Sequence, residues 1–208
     1  MIKRFGWKKM LLPVLLGFLI FYSCQQGESY IIEGNLPDTS FDGEWIYMVP
    51  LVNAPVSRVD STVIKDGKFM FKGKVEEPEV FVIRARPFLR LSLQELLVVK
   101  EPGTIQAYVG QNSSAKGTAL NDSLQNWKEQ KQLLDSHTKY LDHYYYAGNE
   151  AQRDSLRPVM DALASEKEAY HFEFASNNRE NVVGELVIRM MKGAFSPEQR
   201  QELGIQDQ

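Results

Sequence analysis

The sequence contains one cysteine, Cys24, and three histidines among its 208 residues. A lone cysteine excludes both a disulfide framework within this sequence and a Cys-x-x-Cys redox pair, because each needs two thiols. His137 and His143 lie six residues apart in a predicted helix and so face different sides, whereas a metal site needs convergent ligands. A Gly-x-Ser-x-Gly segment is also missing, which removes that class of serine hydrolase. We therefore predict no catalytic residues, no metal and no cofactor.

Clusters of positive charge are scarce outside the N-terminus. The formal net charge is 24 − 27 = −3 for the whole sequence, and it becomes 20 − 27 = −7 without residues 1–23, which carry four basic residues and no acidic one. No block of lysine or arginine remains after that segment. A chain of this charge pattern is not expected to bind nucleic acid.

The only long apolar stretch of the sequence lies near the N-terminus. Its four basic residues precede an uncharged run of 13 residues, Met10 to Tyr22. A membrane-spanning helix needs about 20 such residues, so this run is short for a span and typical of the apolar region of a secretory signal. We predict a signal peptide over residues 1–23 and a short polar tether over residues 24–29.

The end of this segment, Ile20 to Cys24, resembles the lipobox of bacterial lipoproteins. Ser23 matches the small residue expected before the cysteine, whereas Phe21 and Tyr22 replace the usual leucine and small residue. The resemblance implies cleavage before Cys24, diacylglycerol on its thiol and acylation of the new N-terminus; two or more acyl chains anchor a protein stably. An ordinary signal peptide with an incidental cysteine, and an uncut single span, are the alternatives.

Residues 30–115 are predicted to form an antiparallel β domain. Apolar residues alternate with period two and turn residues interrupt them about every ten positions, which gives strands near residues 30–36, 44–51, 57–65, 68–75, 79–86, 94–100 and 104–109. Asp66-Gly67 is a favoured two-residue hairpin turn. It would pair residues two by two: Lys65 with Lys68, Ile64 with Phe69, and Thr62 with Phe71. We expect a β-sandwich or a partly open barrel.

Residues 116–208 are predicted to be helical, because apolar residues there recur at three- and four-residue steps. Two long helices with a reversal at residues 147–150 would form an antiparallel hairpin, and Thr118 or Asn121 is expected to cap the first. A third helix is predicted from about Asn181 to Lys192, and Ser196-Pro197-Glu198-Gln199 has the residues that open a fourth, short one. The fold class is therefore α+β.

Several short segments, in order, resemble one uncharacterised family. They are Tyr30 to Gly34, Trp45 to Met48, Asp60-Ser61, Asp66 to Phe69, Glu101 to Gly103 and Gly117 to Asp122. They look like the domain of unknown function in front of membrane-anchored thioredoxin-like thiol:disulfide oxidoreductases of bacterial envelopes. Longer relatives carry a thioredoxin domain with a Cys-x-x-Cys pair after the helices, and this sequence has no such pair. The redox activity of the family is therefore not expected here.

An aromatic cluster at the end of the first long helix is the candidate binding surface. It consists of Tyr140, Tyr144, Tyr145 and Tyr146. Such rings bind ligands or partners, or pack against a neighbouring helix or sheet. We expect a non-catalytic envelope lipoprotein, held through Cys24 on the periplasmic or surface side of the outer membrane, that binds an envelope protein through its helical region. The alternative is a truncated relative or accessory subunit of a thioredoxin-like thiol:disulfide oxidoreductase.

Overall fold

The computed structural model describes residues 27–52, 54–85 and 93–206. The predicted signal peptide, Cys24 and most of the tether lie outside the described residues. Within these ranges, no helix combines the length and the apolar character needed to cross a membrane.

Eight described strands form two four-stranded sheets. They are β1 (Glu28–Asn35), β2 (Trp45–Pro50), β3 (Asp60–Val63), β4 (Lys68–Val75), β5 (Glu79–Ala85), β6 (Leu96–Lys100), β7 (Gly103–Tyr108) and β8 (Ser114–Lys116). The first sheet has the order β4-β1-β7-β8 and the second the order β3-β2-β5-β6. Neighbouring strands are antiparallel except β1 and β7, which run parallel. The seven predicted strands are present, and the short β8 is an addition.

Side chains from the inner faces of both sheets meet in one core. Ile32 of β1 lies opposite Phe71 of β4 and Ile105 of β7, and all three are buried. From the second sheet, Ile46 of β2 and Ile83 of β5 join the same cluster. Because the described strands form two separate open sheets around this core, the arrangement is a sandwich, and the barrel alternative is not formed.

The Asp66-Gly67 turn and the predicted pair of Lys65 with Lys68 are present, but the two predicted pairs beyond them, Ile64 with Phe69 and Thr62 with Phe71, are wrong. Both turn residues have positive φ, +53° and +66°, and Lys65 pairs with Lys68. Beyond that pair the two sides of the turn belong to different sheets. The amide of Ile64 donates to the carbonyl of Glu44, next to β2 of the second sheet, whereas β4 pairs with β1 of the first sheet. The predicted partners Phe69 and Phe71 are nevertheless buried with Ile64, since both sheets face one core; Thr62 is only half-buried.

The helical region forms the predicted hairpin and the two shorter helices. Its elements are α1 (Ala119–Ala147), α2 (Glu150–Asn177), α3 (Val182–Met191) and α4 (Pro197–Glu202). Asn149 caps α2, Asn181 caps α3 and Ser196 caps α4, each through its own side chain. These caps supply acceptors to amides that have no partner within the first turn of a helix.

The helices pack on the outer face of the second sheet. Val80 of β5 and Val99 of β6 point away from the sandwich core, because successive side chains of a strand alternate between faces. They join a second buried cluster with Leu124 and Trp127 of α1 and Val187 of α3. The fold class is therefore α+β, as the sequence predicts.

Glu101, from the turn between β6 and β7, caps α1. Its Oε1 atom accepts hydrogen bonds from the amides of Leu120 and Asn121, both at 2.9 Å, from Thr118 Oγ1 at 2.6 Å and from Asn121 Nδ2 at 3.0 Å. Thr118 does occupy the N-cap position, but its side chain accepts no capping bond. The prediction that Thr118 or Asn121 caps the helix is therefore wrong, because an acceptor distant in sequence takes that role.

The side-chain amide of Asn121 is bonded to the sheet. Asn121 Oδ1 accepts from the amide of Val99 at 2.9 Å, and Asn121 Nδ2 donates to the carbonyl of Val99 at 2.8 Å. Asn121 is 1% exposed. The start of α1 is therefore fixed to β6 and to the turn that follows it.

Candidate functional site

The outer half of the helical hairpin is the candidate site, and residues 135–170 are called the arm. All buried residues of α1 lie between Asn121 and Leu134, and those of α2 are His171 and Ala175. None of the described residues 135–170 is fully buried. At 1.5 Å per residue, α1 continues for about 20 Å beyond Leu134. The arm is thus a two-helix extension with little buried surface of its own.

Three of the four predicted tyrosines of the arm are exposed. Tyr140, Tyr144 and Tyr146 are 62%, 50% and 74% exposed. The rings of Tyr140 and Tyr144 are one turn apart on the helix, with centroids 4.7 Å from each other. These three residues are called the arm tyrosines.

Tyr145 differs from the other three, because its ring is half-buried against α2. The guanidinium of Arg153 lies 5.8 Å from its ring centroid, and Arg153 Nε donates to its carbonyl at 3.0 Å. The packing alternative considered for the cluster therefore describes Tyr145 and not the arm tyrosines.

A shallow groove of about 390 Å³ runs along the arm beside Tyr140. Leu141, Val159 and Leu163 contribute its apolar lining, and Val159 is 51% exposed. Of the arm tyrosines, Tyr140 thus borders an exposed apolar surface.

The three histidines are far from equivalent. His137 and His143 are exposed, whereas His171 is fully buried. Among the described residues, no group of three or more histidine, cysteine, aspartate or glutamate side chains is arranged to hold a metal ion. The sequence pattern does not indicate that His171 is buried, although it lies between Tyr170 and Phe174 on an apolar stretch of α2.

His171 is held by Trp127. The Trp127 Nε1 atom donates to His171 Nδ1 at 3.2 Å, and the two rings meet edge to face. Since an indole N–H can only donate, Nδ1 carries no proton and the proton of the neutral ring resides on Nε2. Nε2 has no hydrogen-bond partner among the described residues.

The surroundings of His171 favour its neutral form. Burial lowers the pKa of His171 first, and the positive charges of Lys131 and Lys167 lower it further, against the opposing effect of Asp135. The imidazole is therefore neutral at neutral pH, with its proton on Nε2.

Two lysines share one carboxylate beside this histidine. Lys131 Nζ lies 2.5 Å from Asp135 Oδ2, and Lys167 Nζ lies 2.8 Å from Asp135 Oδ1. Burial raises the pKa of Asp135, but the hydrogen bonds from both lysines outweigh that effect and leave the pKa lowered. Asp135 is therefore a carboxylate bridging the two helices at the root of the arm.

These groups lie at one end of a second cavity of about 540 Å³, which we call the His171 groove. Its polar lining comprises Asp135, Thr138, Asp161, Lys167, Glu168 and His171, and its apolar lining Leu141, Met160, Leu163, Ala164, Met191 and Ala194. The groove thus lies between α1 and α2 and reaches the end of α3.

Residues 30–124 match the model of a protein family described as Domain of unknown function (DUF4369). No curated protein and no solved structure matches the chain. The match spans the β-sandwich and the Glu101–Asn121 contact and ends at Leu124, before the arm begins. The N-terminal part of this chain is therefore similar to a domain of unknown function, and the arm with its groove lies outside the matched region.

Proposed function

We propose that this protein is a non-catalytic, lipid-anchored protein of the cell envelope, whose arm binds a partner protein. The observation that carries the proposal is the exposure of the arm tyrosines on a helical extension that has little buried surface of its own. Tyrosine is enriched among the residues that dominate binding energy at interfaces, because it contributes both apolar area and a hydroxyl. The apolar groove beside Tyr140 extends the same surface.

The site of contact is testable by crosslinking in cells. We expect p-benzoylphenylalanine in place of Tyr144 to give one dominant crosslinked product, and the same group in place of Val56 to give none. Val56 is 89% exposed on the β domain and serves as the matched control. Adding Tyr140→Ala and Tyr146→Ala should abolish the product at position 144, while the free energy of unfolding changes by less than about 0.5 kcal/mol per surface substitution.

Two results contradict this part of the proposal. One is an equal yield of the same products from positions 144 and 56, which indicates random collision. The other is a product at position 144 that persists at full yield without the other two tyrosines. Immunoblots of the crosslinked cells measure both.

Anchorage at Cys24 is the second part of the proposal, and the sequence from Ile20 to Cys24 supports it. We expect Cys24→Ala to prevent incorporation of labelled fatty acid and to release the mature protein from the outer-membrane fraction. Ser23→Ala keeps a small residue before the cysteine and should label normally. Mass spectrometry that finds an unmodified Cys24 thiol, or a start site elsewhere, in the mature wild-type protein contradicts the anchor.

We propose as the alternative that the chain is a relative or an accessory subunit of a thioredoxin-like thiol:disulfide oxidoreductase. The similarity of residues 30–124 to a domain of unknown function, together with the resemblance of the same segments to the domain in front of such enzymes, supports it. The crosslinking experiment distinguishes this alternative from the leading proposal. A product at position 144 that contains a Cys-x-x-Cys protein favours the accessory role.

A further inference from the structure

We propose that the His171 groove binds a basic amphipathic helix of a partner protein, with two cations of that helix against Asp161 and Glu168. Among the described residues, the two grooves of the arm share only Leu141 and Leu163, so they lie on opposite flanks of the helical hairpin. The inference therefore adds a second contact surface to the arm, and it depends neither on the arm tyrosines nor on the anchor.

Two carboxylates that line the groove make no ion pair with any described residue, and they are Asp161 and Glu168. The third carboxylate, Asp135, is already shared by Lys131 and Lys167. Of these two lysines only Lys167 lines the groove, so the charge of the lining is 1 − 3 = −2, or −1 when Lys131 is included. A cation that enters the groove thus meets two carboxylates that are free to pair with it.

The spacing of these two carboxylates matches a helical partner. They are seven residues apart on α2, which places them on one face of the helix and about 10 Å apart along its axis. Ala164 lies between them on the same face and is exposed, so its small side chain leaves room for a large apolar residue of the partner. A helix beside α2 fits this face when it carries basic residues at positions i and i+7 and an apolar residue at i+3 or i+4, which is the usual spacing of anchors in a helix-binding groove.

The interior of the groove is apolar. Leu141 of α1 and Met160 and Leu163 of α2 line its length, and Met191 and Ala194 line the end nearest α3. Methionine adapts its shape to a bound side chain. The apolar lining therefore contributes affinity, whereas the two carboxylates select a basic partner and fix its register.

The shape of the groove favours a helix over a small cation. The lining extends along α2 from Asp161 to His171, a distance of about 15 Å for ten helical residues. Its two long walls are α1 and α2, and a third helix packs beside two others at interaxial distances of about 8–10 Å. A small cation would pair with one carboxylate and leave most of the apolar lining uncovered.

Two synthetic peptides test the spacing. Both are alanine-rich helices with the same two lysines and two leucines, but the lysines are seven positions apart in the first and five in the second, which turns them to different faces. We expect the first to bind the full chain in phosphatidylcholine nanodiscs and to shift the methyl signals of Met160 and Met191 saturably, while the exposed Met70 of β4 does not respond. The second should bind at least about fivefold more weakly, and empty nanodiscs supply the blank.

A pair of double variants tests the two carboxylates. Asp161→Asn with Glu168→Gln removes both, and we expect it to weaken binding of the first peptide about tenfold. Glu166→Gln with Glu173→Gln is the matched control, because these glutamates are also seven residues apart and exposed on α2 but do not line the groove. The control should change the affinity less than about twofold.

Several results would each overturn the inference. They are equal affinity of the two peptides, equal effects of the two double variants, binding that leaves Met160 and Met191 unshifted, and no binding at millimolar peptide. Because Asp161 and Glu168 lie outside the surface of the arm tyrosines, the crosslink at position 144 tests the proposed function separately.

Discussion

Glu101→Ala is expected to lower the free energy of unfolding by about 3 kcal/mol, because it leaves the buried amide of Asn121 and the half-buried amide of Leu120 without an acceptor at the start of α1. Glu101 Oε1 accepts from the amides of Leu120 and Asn121 and from two side chains, and Glu101 is only 6% exposed. Losing a helix cap alone costs about 1 kcal/mol, and the unpaired buried groups add to this. Urea denaturation of the full chain measures the change.

Glu101→Gln is the informative control, since it removes the charge and retains an oxygen that can accept. We expect it to cost about 1 kcal/mol, which is the order of a charge interaction with a helix N-terminus. Glu76→Ala, at an exposed position after β4, should change stability by less than about 0.5 kcal/mol. If Glu101→Ala costs no more than Glu76→Ala, the capping role assigned to Glu101 is wrong.

Trp127→Ala should lower the free energy of unfolding by about 3–5 kcal/mol, which is the usual cost of removing a large buried aromatic side chain. Trp127 is 1% exposed and belongs to the cluster that attaches the helices to the second sheet. Its loss leaves a cavity next to Phe174, whose ring centroid lies 6.2 Å away. It also leaves His171 Nδ1 without its donor.

Two further substitutions separate the contribution of the Trp127–His171 hydrogen bond from that of the buried side-chain volume. Trp127→Phe retains most of the volume and removes the N–H, so its cost of about 1–3 kcal/mol reports the unpaired histidine nitrogen. Trp45→Ala removes a tryptophan that is 41% exposed on β2 and should cost clearly less than Trp127→Ala, because less apolar area leaves the interior. Equal losses for the two alanine variants would refute the central position of Trp127.

The fold could be predicted where the signal is local. Alternation with period two identifies the strands, and three- and four-residue steps identify both long helices. The parallel pairing of β1 with β7 has no local signature, because the residues that pair are about 73 positions apart, as Tyr30 with Gly103. The predicted pairing beyond the Asp66-Gly67 turn is wrong for a related reason. The turn is set by local residues, but the sheet that each flanking strand joins depends on partners distant in sequence.

The candidate site was predictable only in part. The sequence identifies the tyrosines, yet only the structure separates Tyr145 from the other three. Glu101 precedes Pro-Gly, a setting typical of a solvated turn, and its burial depends on the docking of α1. The sequence does not single out His171, because the spacing of residues within α2 cannot show that His171 contacts Trp127 of α1. These residues act through contacts between elements that are remote in sequence.

The bonds between Asn121 and Val99 have a consequence for solubility. β6 is the last strand of its sheet among the described strands, and terminal strands with free amides and carbonyls recruit extended chains and promote aggregation. A side-chain amide presents one donor and one acceptor, as an incoming peptide group would, and here it satisfies both backbone groups of Val99. Asn121 thereby blocks the pairing of a foreign strand at Val99, where the first helix meets the edge of the sheet.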